Sequence, residues 1–169
     1  IISNLRVFKP DIRILVLSKN PQETRKLYEI DAINRANPFF MFSMMKQAGL
    51  FIYGGGNLIQ DNTSSRSLVY YLSTIWLAKR MGLKVMMYAN GFGPITKKIN
   101  VFLTKRIINQ VEVITIREMM SLEELRRLDI NRPEIVPTAD PALTIRASSA
   151  DEADRILLEE ITDTDGPFA

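Results

Sequence analysis

Residues Leu50 to Ile95 read LFIYGGGNLIQDNTSSRSLVYYLSTIWLAKRMGLKVMMYANGFGPI, and this stretch decides the fold. Leu50-Phe51-Ile52-Tyr53 is an apolar run too short for a helix. Three glycines follow (Gly54, Gly55, Gly56), then a polar loop and a helical pattern from about Ser65 to Met81. A second apolar run, Val85 to Tyr88, ends at a turn over Gly91 to Gly93. Short continuous apolar runs bounded by glycine are buried parallel strands, and the helix between them is their crossover. In such units the loops at the C-terminal strand ends form the ligand crevice, where backbone N–H groups and helix N-termini favour anions. The candidate binding residues are therefore Gly54, Gly55, Gly56, Asn57, Gln60, Asp61, Arg66, Asn90, Gly91 and Gly93. A plainer reading stands beside this one: glycines end strands and the polar residues order the loop. The spacing is not GxGxxG and lacks the Lys-Ser/Thr ending of a P-loop, so neither standard nucleotide fingerprint applies.

Working outward, Ile1 to Phe8 reads as the end of an amphipathic helix stopped by Lys9-Pro10. The β-branched and leucine-rich run Ile12 to Leu17 predicts a buried strand. Asn20-Pro21 and Asn37-Pro38 each pair a capping side chain with a proline suited to the first helical position. The second pair opens a helix whose Phe39, Phe40, Phe42, Met45 and Ala48 are expected in the core; Ala32-Ile33 predicts a brief strand before it. In the central helix Leu68, Leu72, Ile75 and Trp76 mark the core face, and Gly82 suits the position after its end.

Downstream, Thr96 is expected to cap a helix from Lys97 to about Gln110 that buries Ile99, Phe102, Leu103, Ile107 and Ile108. Val113 to Ile116 predicts a strand ending at Arg117 and Glu118. Ser121 with Glu124 has the form of a capping box opening a helix through Leu128. Ile135-Val136 leads to Asp140-Pro141, a last helix is expected over 150–161, and 162–169 reads as linker or tail. Strands alternating with helices at this rhythm predict an α/β domain over 1–161: a Rossmann-like, mostly parallel sheet with helices on both faces.

Composition limits the chemistry. At 169 residues, 46% hydrophobic and 24% charged, the chain suits one soluble domain. A net charge of +3 without a dense basic block argues mildly for an anionic ligand and against nucleic acid. There is no cysteine and no histidine, which removes disulfide and thiolate chemistry, the commonest general acid/base, and the usual zinc ligands. No cofactor or metal is therefore expected. No apolar run approaches the roughly 18–20 residues of a membrane span and no signal peptide is visible, so the expected setting is cytoplasmic.

GGGNLIQDNTSSRSLVYYLSTIWLAKRMG followed by KVMMYANGFGPI resembles the signature region of the bacterial polysaccharide pyruvyl transferases. The likeness is strongest to the type that pyruvylates the secondary cell wall polymer anchoring S-layer proteins. ITIRE (Ile114 to Glu118), SLEELRRLDI and PTADPAL (Pro137 to Leu143) follow in the order and near the spacing of that family, so the resemblance runs from about Asp11 to Leu143. It implies a GT-B-like architecture of two Rossmann-like halves with the active site between them, this chain being most of the N-terminal half. The family's opening strand with its glycine/asparagine-rich turn has no counterpart here, nor has its second domain.

The chemistry the resemblance implies is transfer of pyruvate from phosphoenolpyruvate, a donor substrate, to two hydroxyls of a sugar. The sugar is commonly N-acetylmannosamine on a lipid-linked precursor, at the inner face of the membrane. The reaction needs cations or N–H donors for a carboxylate and a phosphate, and an acid for the methylene carbon. Arg117, at a strand end, is the leading catalytic candidate, because a guanidinium matches carboxylate or phosphate in bidentate fashion. An ion pair with Glu118 or another neighbouring carboxylate is its structural alternative. Asp140 is expected either to orient Arg117 or touch the sugar, or to cap the turn that follows it. The acid, expected to be a histidine in this family, would come from the absent half. Two other classes remain open: half of a nucleotide-sugar glycosyltransferase, and a non-catalytic anion- or saccharide-binding domain.

Overall fold

Local capping sets the first elements, as the sequence predicts. α1 (Ile2–Phe8) stops at Lys9, ahead of Pro10. Asn20 Oδ1 accepts from the Glu23 N–H and opens α2 (Pro21–Tyr28) after β1 (Leu15–Ser18). After β2 (Asp31–Asn34), Asn37 Oδ1 accepts from the Phe40 N–H at 3.2 Å and opens α3 (Pro38–Met45). This computed structural model describes residues 1–62 and 64–144, with Ser149, Asp151, Asp154, Arg155 and Leu158. The helix expected over 150–161 and the tail over 162–169 lie almost wholly outside those residues.

The centre is a parallel sheet in the order β3 (Leu50–Tyr53), β5 (Lys84–Met87), β7 (Val113–Ile116), β8 (Glu134–Pro137). β3 and β7 match the expected strands, and the other two differ by one residue at their ends. α4 (Ser65–Arg80) crosses from β3 to β5, with Ser64 Oγ accepting from the Ser67 N–H and Gly82 in the left-handed region just past its end. α5 (Lys98–Ile108) and α6 (Met119–Arg127) connect the remaining strands. Leu68, Leu72, Ile75, Val85, Ile114 and Ile116 form the middle of the core, almost without solvent contact.

Several expectations are overturned. The first strand begins at Leu15, because a turn in which Lys9 O accepts from the Ile12 N–H occupies the start of the expected run. β1 pairs only with β2, in parallel, so these strands stand outside the four-stranded ladder. α3 packs through Met45, as expected, and Met41, four residues apart on one face, while Phe39, Phe40 and Phe42 are exposed, Phe39 at 85%, and Ala48 is exposed past the end of the helix. Trp76 is half exposed, with the Arg80 guanidinium 5.8 Å from its ring centroid. The buried side of α5 is Asn100, Thr104, Ile107 and Ile108, while Ile99 and Phe102 face solvent. Asn100 stands on the buried side because it bonds to a buried carboxylate described below, whereas the Thr104 hydroxyl is buried there with no partner among the described residues. Ser121 lies inside α6, and its hydroxyl and the Glu124 carboxylate serve the backbone of a neighbouring segment instead of a capping box.

The polar loop after β3 and the turn after β5 also differ from expectation. Gly56–Ile59 forms a strand, β4, and Asn90–Phe92 forms β6, and the two pair in parallel. The β3–β5 pair thus continues, past a break of two residues in each strand, as β4–β6.

Candidate functional site

Both strands of the central pair bend at the same level. Tyr88 N–H donates to Tyr53 O at 2.9 Å as the last rung before the break, and Ala89 then adopts a left-handed φ of 51°. That costly backbone state is held by the Thr115 hydroxyl of β7, which accepts from the Ala89 N–H at 2.6 Å. On the other strand Gly56 carries φ 122°, a region closed to most side chains. Asn90 Nδ2 ties the two breaks together by donating to Gly54 O at 3.1 Å. Gly55 lies over the Ala89 carbonyl. Among the described residues, Asn90 Oδ1 is buried without a hydrogen-bond partner.

The bend brings residues distant in sequence into one cluster. Arg117 follows β7, as predicted, and its NH1 donates to Asp140 Oδ2 at 2.7 Å while NH2 donates to Asn57 Oδ1 at 3.1 Å. Of the carboxylates near it, Arg117 takes Asp140 and leaves Glu118 to accept from the Ser121 hydroxyl at 3.2 Å. Asp140 does both things expected of it. One oxygen meets Arg117, and the other accepts from the Ala142 N–H at 2.9 Å, opening a short 3-10 turn over Pro141–Thr144. The Ala142 N–H first, and Arg117 second, hold its carboxyl below the usual range against the opposing effect of desolvation. The approach is tight at Gly91, where a Cβ would overlap Asn57 Oδ1 and reach within 2.8 Å of Glu118 Oε1. Glycine is therefore needed at Gly91 for Asn57 to reach Arg117.

Gly54, Gly55, Gly56, Asn57, Asn90, Gly91, Arg117 and Asp140 thus share one edge of the sheet, at the C-terminal ends of its strands. Gly93 and Gln60 meet one step further along, where the Gly93 N–H donates to Ile59 O at 3.0 Å and pairs the strands instead of facing a ligand.

Asp61 is placed differently from the rest. Its buried carboxylate accepts from the Thr96 N–H and hydroxyl, the Lys97 N–H and Asn100 Nδ2, so it anchors the segment that enters α5, whose first turn takes no side-chain cap from Thr96. Burial alone would raise its pKa, but the donors of Lys97, Asn100 and Thr96 outweigh that and lower it. Arg66 also stands apart, exposed on the first turn of α4 beside Arg35.

No local pattern marks Thr115 as the support of the bend, or Ser121, whose hydroxyl accepts from the Phe92 N–H at 2.8 Å. A buried hydroxyl on a strand or helix has no local pattern that names its distant partner. Among the described residues no group of acidic residues could hold a metal ion, and no helix is long and apolar enough to cross a membrane.

An ion-paired arginine at the crevice of a parallel α/β sheet suits recognition of a small dianion or carboxylate. No curated protein and no solved structure matches the chain. The polysaccharide pyruvyl transferase family model matches residues 1–165, and with nearly its whole length covered the chain belongs to the polysaccharide pyruvyl transferase family, a family of transferases.

Proposed function

We propose that the protein transfers pyruvate from phosphoenolpyruvate to two hydroxyls of a cell-wall saccharide, an N-acetylmannosamine of a secondary cell wall polymer, as a ketal. In this reading the chain is the Rossmann-like first half of a GT-B-like enzyme. It acts on a lipid-linked precursor at the cytoplasmic face of the membrane. The methylene carbon of the donor takes a proton, a sugar hydroxyl oxygen bonds to the adjacent carbon, and the bond from that carbon to the phosphate oxygen breaks. A second hydroxyl closes the ketal, and both hydroxyl protons are released. Arg117 is the residue that meets the donor's carboxylate or phosphate. Asp140 and Asn57 position it, and N–H groups of its guanidinium that these two leave over make the contact.

The observation that carries this reading is Arg117, held at the crevice by Asp140 at 2.7 Å and by Asn57 at 3.1 Å, in a chain of this family. The test is steady-state phosphate release with varied phosphoenolpyruvate and a wall-polymer acceptor, using the full protein. Arg117→Ala should lose a charge-assisted contact worth about 1.5–3 kcal/mol, or roughly 10- to 150-fold in rate or donor affinity. Arg117→Lys should recover part of that loss, since an ammonium cannot make the bidentate contact. Wild-type kinetics in an Arg117→Ala variant with an unchanged melting curve would reject the assignment. The 169 residues contain no histidine, and we place the proton donor outside them; turnover by these residues alone would overturn that placement.

A further inference from the structure

A concavity lies away from the Arg117 cluster, between the end of β2 and the first turns of α4. It is a groove of about 360 Å³ lined by Arg35, Ala36, Arg66, Ser67, Tyr70 and Tyr71. That volume falls at the small end of the range for ligand sites, roughly 300–1,000 Å³. The two walls are joined by the Tyr70 hydroxyl, which donates to the Arg35 carbonyl at 3.3 Å, so the groove is built by contact across 35 residues of sequence. Its cationic groups come from both walls. Among the described residues neither the Arg35 nor the Arg66 guanidinium pairs with a carboxylate, and the groove sets these two cations beside two tyrosines.

The aromatic side is ordered in depth. Tyr70 packs edge-on against Tyr71 with centroids 5.4 Å apart, and Tyr71 packs edge-on against Tyr53 at 5.9 Å. Tyr53 is the last residue of β3 and leads directly into Gly54. Its hydroxyl is buried without a partner among the described residues, and burial first, then the neighbouring tyrosines, keeps it protonated. A row of rings therefore runs from the groove to Tyr53, the residue before Gly54 at the sheet edge that carries the Arg117 cluster. Two unpaired guanidinium groups select an anion, and phenol rings with polar edges suit the mixed faces of a sugar.

We propose that this groove binds the phosphoryl-bearing end of the acceptor saccharide, a glycosyl phosphate or diphosphate, with Arg35 and Arg66 on the phosphate and Tyr70 and Tyr71 against the sugar. Assigning that ligand as the acceptor rests on the transferase reading above; the binding itself does not. Two measurements on the full protein separate the two. In the first, calorimetry follows binding of a hexosamine 1-phosphate, the neutral hexosamine, inorganic phosphate, and vesicles containing anionic lipid. The sugar phosphate should bind at least tenfold tighter than the neutral sugar or inorganic phosphate, and Arg35→Ala with Arg66→Ala should weaken it by tenfold or more. Arg35→Lys with Arg66→Lys should recover part of the loss at an unchanged melting temperature.

Equal binding of inorganic phosphate would overturn the saccharide assignment, and vesicle binding that the sugar phosphate does not compete would assign the face to a membrane surface instead. Sugar-phosphate binding indifferent to both arginines would overturn the site. The second measurement is phosphate release from phosphoenolpyruvate with phosphorylated and unphosphorylated acceptors. The double alanine variant should raise the acceptor KM about tenfold for the phosphorylated acceptor alone, with the donor KM and kcat unchanged. An equal change for both acceptors, or a change in donor KM, would overturn the acceptor role. Groove binding without any turnover in the wild-type protein would leave the groove standing and reject the transferase reading.

Discussion

The sheet β3-β5-β7-β8 and the pair β1-β2 share a parallel α/β pattern and differ in how they are held. The helices beside the first contribute Leu68, Leu72, Ile75, Ile108 and Leu125 to a continuous core, whereas α1 and α2 bury no residue at all. Leu27, Tyr28 and Phe8 lie open to solvent, and the pair keeps only Ile30 and Ala32 well covered. The Arg117 cluster stands wholly on the first region, where its supporting groups are packed and hydrogen-bonded. The second region supplies a wall, Arg35 and Ala36, to the groove. Alternating helices and strands establish an α/β pattern but do not say which part carries stability. Buried apolar area does, and here it is concentrated where the geometry of the site must be exact.

The contrast breaks most readily in the core. Ile114→Ala, at a site without solvent contact, should lose about 2–5 kcal/mol in urea unfolding, while Leu27→Ala on α2 should stay within about 0.5 kcal/mol. Equal losses at the two positions would erase the distinction between the regions.

A smaller effect is expected from the anchor of α5. Asp61→Ala leaves the buried donors of Thr96, Lys97 and Asn100 without their acceptor and should cost about 1–3 kcal/mol, read from the same unfolding curves. Because its folded-state pKa is depressed, the contribution of Asp61 is present above the unfolded carboxylate value of about 3.9 and is lost as pH falls through the folded value. Asp61→Asn should therefore lower stability at neutral pH and flatten the acid limb below about pH 4. An unchanged acid limb would mean that another carboxylate, Glu124 or Glu112, governs it; both also lie below their usual range once hydrogen bonds to Arg127 and Lys79 outweigh burial.

The smallest effect sharpens the comparison from the other side. Arg13 and Asp31 meet at 3.8 Å with side chains 82% and 62% exposed, so Arg13→Ala should change unfolding by no more than about 0.5 kcal/mol. A larger loss would show that the β1-β2 pair depends on its surface charges.

Legibility followed the reach of each interaction along the chain. Asn20-Pro21 and Asn37-Pro38 cap helices three residues away, and both were readable. The bond from the Lys97 N–H to Asp61 crosses 36 residues, and the local pattern points to Thr96 instead. Ser121 and Glu124 kept the spacing of a capping box, but the backbone of Phe92 and Ile95 captured both side chains. Phe39, Phe40 and Phe42 carried the strongest apolar signal in α3, but the face that packs is Met45, as expected, with Met41, because spacing alone cannot say which face meets the sheet. Arg117 and Asp140 were legible as strand-end residues. Their meeting with Asn57 was not, since it depends on a bend that glycine and asparagine, poor strand formers, disguised as turns.

That bend also limits which changes in chain length the fold can accept. Tyr53 pairs with Met87 before the break and Gly56 with Asn90 after it, so Gly54-Gly55 and Tyr88-Ala89 are matched spacers of equal length. Side chains alternate faces along a strand, and removing one residue from either spacer would reverse every side chain beyond it. Asn57 would then turn away from Arg117 while β3, β5 and the core beneath stayed intact. Past the spacers the strands do carry one unmatched residue, an irregularity between Gly56 and Ile59 opposite Asn90 and Phe92, so a change of spacer length is tolerable as a compensated pair or where that irregularity absorbs it, and the spacing of the two glycine-containing segments is as much a part of the Arg117 cluster as its side chains.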